Sequence, residues 1–190
     1  MELILSIVIG ISLSATSGFR IFVPLLFLSG ASLAGWVELT PTFDWISSYP
    51  AFYAFLIATI LEAAAYLIPY IDNLLNAIAT PVSVVAGVII TASVIIDLHP
   101  MLAWTLAVIA GGGAALGGSV VSGTVHAGST AVTGGVANPV LSFIESVTAA
   151  IISFLTVLAP VFALLVLILI ITIVIRKAEV YQNHRSKLNC

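Results

Sequence analysis

Long apolar runs separated by short polar intervals organise this chain. The pattern predicts about six membrane-spanning helices, each near the ~20 residues that cross a ~30 Å hydrocarbon core. The segments cover residues 3–36, 50–70, 81–97, a stretch that begins near 101 and becomes glycine-rich, 139–158 and 160–175. The first would measure about 50 Å as one straight helix, so we expect it to tilt strongly, break or fold back.

Two stretches interrupt the apolar runs with the same pattern, Ser-x-x-Ser-Gly, at residues 14–18 and 119–123. Glycine adopts unusual backbone dihedrals, and neighbouring hydroxyls can satisfy the backbone groups that a break sets free. We therefore expect Ser17-Gly18 and Ser122-Gly123 to mark two broken or re-entrant segments.

The order of features after each stretch predicts two related halves, residues 1–98 and 99–175. Each stretch is followed by an apolar helix with one carboxylate, Glu62 or Glu145, and then by a run that opens on Pro-Val. Three spans in each half would form an inverted-topology repeat, an architecture common in transporters. The spacing is uneven, because the carboxylate follows the first glycine by 44 residues and the second by 22. Chance recurrence of common membrane residues is therefore the alternative.

Composition places the chain in a lipid bilayer. Hydrophobic residues make up 61% of the 190 positions and charged residues 7%, whereas a soluble domain carries roughly a quarter charged residues. The mean hydropathy of +1.26 agrees with this class. We expect an all-α membrane protein with a single transmembrane domain, residues 1–175, and a polar tail, residues 176–190.

The distribution of charge indicates the orientation of the chain in the membrane and argues against a nucleic-acid partner. Four of the five basic residues follow residue 175, so the positive-inside rule places the C-terminus, and with six spans also the N-terminus, in the cytoplasm. The net charge of -3 and the lack of a basic patch argue against a nucleic-acid partner. The lone cysteine, Cys190, and three scattered histidines form no disulfide or metal pattern, so we expect no cofactor.

Glu62 and Glu145 are the strongest candidates for chemistry. A charged carboxylate in hydrocarbon costs at least about 2.5 kcal/mol, so it must be neutral, paired or in a watered cavity. Helical spacing places Tyr66 on the same stripe as Glu62, and Ser142 and Ser153 on the same stripe as Glu145. Both stripes predict an interior polar seam that binds a substrate or ion. A hydrogen-bonded carboxylate near the interface, present for packing, is the alternative.

Arg20 is the only Lys or Arg residue before the tail. A buried guanidinium requires a partner, and Glu62, Glu145, Asp72 or an anionic substrate can supply one. A salt bridge that fixes the broken helix and a contact with substrate are both open, and they do not exclude each other. Asp72 is otherwise explained as a solvated cap at the end of a span.

Small residues near the centre of the chain allow close contacts. Gly113-x-x-x-Gly117 fits tight helix packing or the face of a homodimer. The breaks at Gly18 and Gly123 can present backbone N–H groups to an anion or carbonyl groups to a cation. For the breaks, a kink that lets helices approach is the alternative; for the glycine cluster, we favour packing over ligand contact.

His126 follows Ser122 by four residues, which is one helical turn. A serine nucleophile beside a base suggests a hydrolase. Val120, however, occupies the first place of the Gly-x-Ser-Gly pattern of intramembrane serine proteases, and we do not expect an enzyme. We interpret His126 as a proton relay or a polar packing residue.

Three runs carry a resemblance to a known family. They are Gly18-Phe19-Arg20, the segment from Glu62 to Asp72, and the stretch from Gly117-Gly118 through His126 to Asn138-Pro139. Together they resemble a bacterial family of small multi-pass integral membrane proteins known as a domain of unknown function. The resemblance covers nearly the whole chain and implies a bacterial multi-pass protein, without implying a substrate; we expect it in the inner membrane. It singles out Arg20, Glu62, Pro69 and Asp72.

The sequence favours a small transporter with a polar site between its halves. Proton or ion coupling would use the carboxylates, Arg20 would be a counter-charge or anion contact, and the Ser-Gly stretches would supply backbone ligands. The substrate, whether a small molecule, an ion or a lipid, is not indicated. The alternative is a non-transporting membrane subunit or scaffold that packs through its glycine-rich helix.

Overall fold

The computed structural model describes residues 2–66, 69–96 and 98–166, and positions 168, 169, 172, 173 and 176. Within 69–77 it describes the backbone and, of the side chains, only that of Leu75. Asp97, Cys190, the side chains of Pro69 and Asp72, and almost all of the polar tail and its basic residues lie outside this description. The predictions for them therefore stay predictions.

The described fold is all-α, as predicted, and contains no strand in these residues. Its helices are α1 (Glu2–Ser17), α2 (Phe22–Leu33), α3 (Tyr49–Ala65), α4 (Pro69–Val94), α5 (Pro100–Leu106), α6 (Gly113–Thr133) and α7 (Asn138–Leu158). A 3₁₀ helix, Pro41–Ser47, precedes α3, and a π-helical segment, Ala107–Gly112, joins α5 to α6. The described residues between α4 and α5, at positions 95, 96, 98 and 99, are not helical. Helix resumes at Pro160 after Ala159.

The first predicted break is confirmed. Helix α1 ends at Ser17 and α2 begins at Phe22. The N–H groups of Gly18 and Arg20 bond to the carbonyls of Ala15 and Thr16, which closes the last turn of α1. Residues 18–21 thus interrupt the helix, as expected for an apolar run too long to cross one bilayer as a straight helix.

The second predicted break is wrong, because α6 passes through Ser122-Gly123 without interruption. A glycine inside a helix costs only about 1 kcal/mol and does not by itself stop it. The hydroxyl of Ser122 donates to Glu145 rather than to its own backbone, so it does not compete with the helix. The distortion lies instead in the π-helical segment, where Gly111 approaches Thr91 and the carbonyl of Gly87 in α4.

The polar interval predicted between the spans 50–70 and 81–97 does not interrupt the helix, so this prediction is also wrong. Helix α4 runs continuously through it and contains Pro81 in its interior. Proline is tolerated in apolar helices when neighbouring helices and hydroxyl side chains satisfy the freed backbone groups. The connection from α3 comes earlier, since α3 ends at Ala65.

Within the described part of the chain, two helical segments are long and apolar enough to cross a membrane. They are the continuous helix Pro100–Thr133 and Asn138–Leu158, and the latter matches the predicted fifth span. The bent pair Pro41–Ser47 and Tyr49–Ala65, at 64°, is a third if it forms one span. Shorter apolar helices cover Leu3–Ser17, Phe22–Leu33 and Ile78–Val94. The described helices are thus compatible with a membrane protein, while six spans remain a prediction.

Helix α1 lies at the centre and packs against α4, α6 and α7, while α2 packs against α3 and α7. Leu13, Leu28, Ile90 and Val94 are fully or almost fully buried in the shared core. Helices α1 and α6 cross at very short range, because the carbonyl of Ala15 lies where a Cβ on Gly118 would be. This crossing brings the end of α1 beside the polar face of α6.

Candidate functional site

Three side chains converge on the carboxylate of Glu145 in α7. The Ser122 hydroxyl donates to Oε1 at 2.7 Å, and Nε2 of His126 lies 3.1 Å from Oε2. Nη2 of Arg20 lies 3.6 Å from the same Oε2. Ser122 and His126 face α7 together because they stand one helical turn apart, whereas Arg20 arrives from the connection between α1 and α2. Of the carboxylates whose side chains are described, Glu145 is the one within ion-pair distance of Arg20.

Arg20 is almost completely buried, with 1% of its side chain exposed. Its guanidinium carbon lies 3.8 Å from the centre of the Tyr66 ring, a cation–π contact. Nη2 also donates to the backbone carbonyl of Ser142 at 2.6 Å. Nε and Nη1 have no hydrogen-bond partner among the described residues, and neither does Oγ of Ser142. Unmade hydrogen bonds of a buried charge are costly. The N–H groups on Nε and Nη1 can therefore bind a further oxygen acceptor.

Glu62 caps a helix. One carboxylate oxygen accepts from the backbone N–H of Ile21 at 2.9 Å and the other from that of Phe22 at 3.1 Å. These groups belong to the start of α2, where the helix leaves N–H groups unpaired and favours a negative charge. The side chain of Ile21 makes no capping hydrogen bond. Glu62 on α3 thus fixes the chain just after the break between α1 and α2. The sequence did not predict this role.

The two Ser-x-x-Ser-Gly stretches contact each other. Oγ of Ser119 lies 3.3 Å from the carbonyl oxygen of Gly18 and 2.6 Å from Oγ of Ser83 in α4. Ser17 donates to the carbonyl of Ser83 at 3.2 Å, and Ser14 donates to that of Gly87 at 2.7 Å. These hydroxyls tie α1, α4 and α6 together. Sequence reasoning missed Ser83, although a hydroxyl in an otherwise apolar helix was the available signal.

A small polar cavity lies where the two stretches meet. Its volume is about 40 Å³, enough for a few water-sized groups. Its lining comprises Gly18, Phe19, Ile21, Tyr66, Ala79, Thr80, Ser119, Ser122 and Gly123. Ser122 joins the cavity to Glu145, because its hydroxyl both lines the space and donates to the carboxylate. Tyr66 also lines the cavity, and its ring contacts the Arg20 guanidinium.

A larger apolar groove adjoins this cavity, with a volume of about 360 Å³. Its walls come from the start of α2, from α3 and from α4. Ile21, Tyr66 and Ala79 line both spaces. Apart from Glu62 and Tyr66, every lining residue is aliphatic or phenylalanine. No feature of the sequence pattern indicated the groove, because it depends on how α3 and α4 are placed.

The structure thus places most of the predicted site residues in one region. Arg20, Tyr66, Ser122, His126 and Glu145 form the cluster, while Ser17, Gly18 and Gly123 lie beside it; the side chain of Asp72 is outside the described part. Ser122 directs its hydroxyl to Glu145 and not to His126, so the two are not arranged as nucleophile and base. Within the described residues, no group of three His, Cys, Asp or Glu side chains converges as metal ligands do.

The expectation of close packing at Gly113 and Gly117 is wrong within this chain. Both lie on the exposed side of α6, with nothing within 4 Å of where a Cβ would stand. Gly111 and Gly118 make the close helix contacts instead. One position along a helix turns a residue by about 100°, so neighbouring glycines face different surroundings.

Comparison with known proteins agrees with the predicted resemblance. The model of a family described as a domain of unknown function, DUF4126, matches residues 7–179. The chain belongs to this family. No curated protein and no solved structure matches the chain significantly. The DUF4126 match spans both the cluster around Glu145 and the apolar groove, so both lie inside the family domain.

Proposed function

We propose that this DUF4126 protein is a small membrane transporter in which Glu145 carries the coupling proton or ion and Arg20 contacts an anionic substrate. The observation that carries the proposal is the convergence of Arg20, Ser122 and His126 on one carboxylate. These partners lie on different elements, so a change in the charge of Glu145 alters contacts to both α6 and the break after α1. Ionisable groups inside membrane segments commonly form ion or proton pathways.

Competition for Arg20 gives this arrangement a coupling mechanism. When Glu145 accepts a proton, it becomes a neutral carboxylic acid and its attraction for the guanidinium falls. Arg20, still buried and with unused donors on Nε and Nη1, then pairs with the oxyanion of a substrate. Loss of the proton restores the pair with Glu145 and releases the anion. One proton would therefore be transported together with one anion, in the same direction.

Glu62 has a supporting role in this proposal. Its hydrogen bonds to the backbone of Ile21 and Phe22 fix the segment that carries Arg20. The coupling role expected for both carboxylates thus narrows to Glu145, and Glu62 holds the broken helix in place.

The wider architecture belongs to the same proposal. We propose six crossings of a bacterial inner membrane, with both termini cytoplasmic and two inversely related halves. The shared cavity of the two Ser-x-x-Ser-Gly stretches supports a meeting of the halves. The continuous path of α6 through the second stretch weakens the internal symmetry.

Proteoliposomes that contain a pH-sensitive dye test the transport mechanism. Chloride, phosphate, acetate, glutamate and decanoate gradients are applied in turn, and proton entry is compared with that in protein-free vesicles. We expect one class of anion to drive proton entry through the wild-type protein. Glu145→Gln abolishes this flux, whereas Glu38→Gln, which changes an exposed carboxylate outside the cluster, leaves it unchanged. No wild-type flux with any anion, or equal flux through Glu145→Gln, would contradict the mechanism.

The second candidate is a membrane scaffold or homodimer that uses the exposed glycine face of α6. Open space at Gly113 and Gly117 favours it, since small residues let membrane helices approach closely. In a Cys190→Ser background, Gly117→Cys forms an intermolecular disulfide if this face is a dimer contact. Gly112→Cys, on the buried side against α4, is the control and stays uncrosslinked. Equal behaviour of the two variants argues against the dimer.

A further inference from the structure

We infer that the apolar groove and the polar cavity together bind one membrane amphiphile, with a single alkyl chain and a small oxyanion head such as a carboxylate. The chain lies in the groove and the head enters the cavity next to Tyr66, whose ring contacts the Arg20 guanidinium. This inference rests on the proposed function and deepens it, because it names the substrate class of the same site. It also makes the bilayer itself the route by which the ligand arrives.

The rim of the groove faces hydrocarbon. Leu61, Ile78 and Val82 line the groove, and they are 63%, 50% and 44% exposed. Large aliphatic side chains exposed on a membrane protein contact lipid tails, so the groove opens sideways to the bilayer. Its volume of about 360 Å³ lies at the low end of the ~300–1,000 Å³ typical of small-molecule sites. That space suits one alkyl chain better than the two chains of a phospholipid.

The inner end of the apolar groove adjoins the polar cavity. Ile21, Tyr66 and Ala79 are common to the groove and the cavity, so a chain lying in the groove directs its head toward the cavity. Thr80, Ser119 and Ser122 contribute aliphatic hydroxyl groups to the cavity lining, which also includes Tyr66. At about 40 Å³ the cavity accepts a carboxylate-sized group but not a phosphodiester with its alcohol.

Charge complementarity selects an acid. The Arg20 guanidinium keeps N–H groups on Nε and Nη1 without a hydrogen-bond partner in the described residues. A carboxylate can accept two parallel bonds from such a group. The Tyr66 ring lies between the cavity and the guanidinium, so the ring must move aside for direct contact. Glu62 also lines the groove, but both of its oxygens already accept backbone N–H groups.

Photolabelling tests the ligand class. Hexadecanoic acid, hexadecanol and hexadecylamine, each with a mid-chain diazirine, are irradiated with the purified protein in liposomes at about pH 8.5, where carboxyl groups are normally ionised. Mass spectrometry maps the labelled residues. We expect the acid to label the groove walls about tenfold more than the alcohol or amine, the ratio typical of one charged hydrogen bond. Excess unlabelled hexadecanoate removes this labelling.

Two alanines on α3 provide matched variants. Ala58 lines the groove, and Ala58→Phe fills it; Ala64 is exposed outside the groove, and Ala64→Phe leaves it open. We expect the first variant to lose most of the acid labelling, because the ring occupies the space of the alkyl chain, and the second to retain it. Arg20→Gln, checked for folding by gel filtration, should remove the preference for the acid over the alcohol.

The possible results separate this inference from the transport proposal. Equal labelling by acid and alcohol, stronger labelling by the amine, or labelling that Ala58→Phe leaves unchanged would each overturn the amphiphile site. Acid-specific labelling without proton entry in any anion gradient would leave the site standing and remove the transporter. Proton entry driven by acetate or glutamate without groove labelling would do the reverse.

Discussion

The carboxylate of Glu62 accepts a hydrogen bond from the backbone N–H of Ile21 at 2.9 Å, although 41 residues separate them in the chain. The bond links the end of α3 to the start of α2. It therefore holds the break after α1 in the shape that directs Arg20 inward. A residue that resembles a transport carboxylate in the sequence acts in the structure as a cap supplied by another helix.

Glu62→Gln tests this capping role. The amide lacks the negative charge that favours the start of α2, and only one of its two polar atoms can accept an N–H group. We expect the free energy of unfolding to fall by about 1–2 kcal/mol, the usual cost of losing a good helix cap. Thermal unfolding in detergent, followed by circular dichroism, measures the change. Glu38→Gln is the control. Equal melting temperatures of the two variants would contradict the capping role of Glu62.

The crossing of α1 and α6 predicts opposite outcomes at adjacent glycines. Gly118→Ala places a methyl group against the carbonyl of Ala15, so α1 and α6 must separate. Overpacking of this kind costs about 1–3 kcal/mol. Gly117→Ala meets nothing within 4 Å and is expected to be neutral or to stabilise the helix by up to about 1 kcal/mol. Thermal unfolding compares the two variants. A loss of stability in Gly117→Ala but not in Gly118→Ala would contradict the close crossing of α1 and α6.

A double-mutant cycle tests whether Ser122 and Glu145 are energetically coupled. The serine donates to Oε1 at 2.7 Å, so Ser122→Ala alone should cost about 1–3 kcal/mol because a charged acceptor loses its donor. In a Glu145→Gln background the same change should cost less, with a coupling energy of about 0.5–3 kcal/mol.

Thr124→Ala supplies the comparison for that cycle. Among the described residues, the hydroxyl of the exposed Thr124 bonds only to the Val120 carbonyl of its own helix. It should therefore show no coupling to Glu145. Additive effects of Ser122→Ala and Glu145→Gln would mean that the hydrogen bond contributes nothing to stability.

Several elements could be predicted because they depend on local pattern. The break at Ser17-Gly18 follows from a run too long for one span, and α7 follows from an apolar segment opened by proline. The errors arose where local signals are weak. Asp72 suggested the end of a span inside α4, and Ser122-Gly123 suggested a break inside α6, yet both helices are continuous.

The sequence by itself determined the class of protein and the residues of interest. Few charges in a strongly apolar chain indicate a bilayer, and any isolated charge among such helices, such as Arg20 or Glu145, requires a partner. Only the tertiary structure decided which partner that is. Arg20 reaches Glu145 and Ser142 across 122 or more residues because α1 and α6 approach closely at Gly18 and Gly118. Helical periodicity assigns a residue to a face of its own helix, but the packing of one helix on another selects which faces meet.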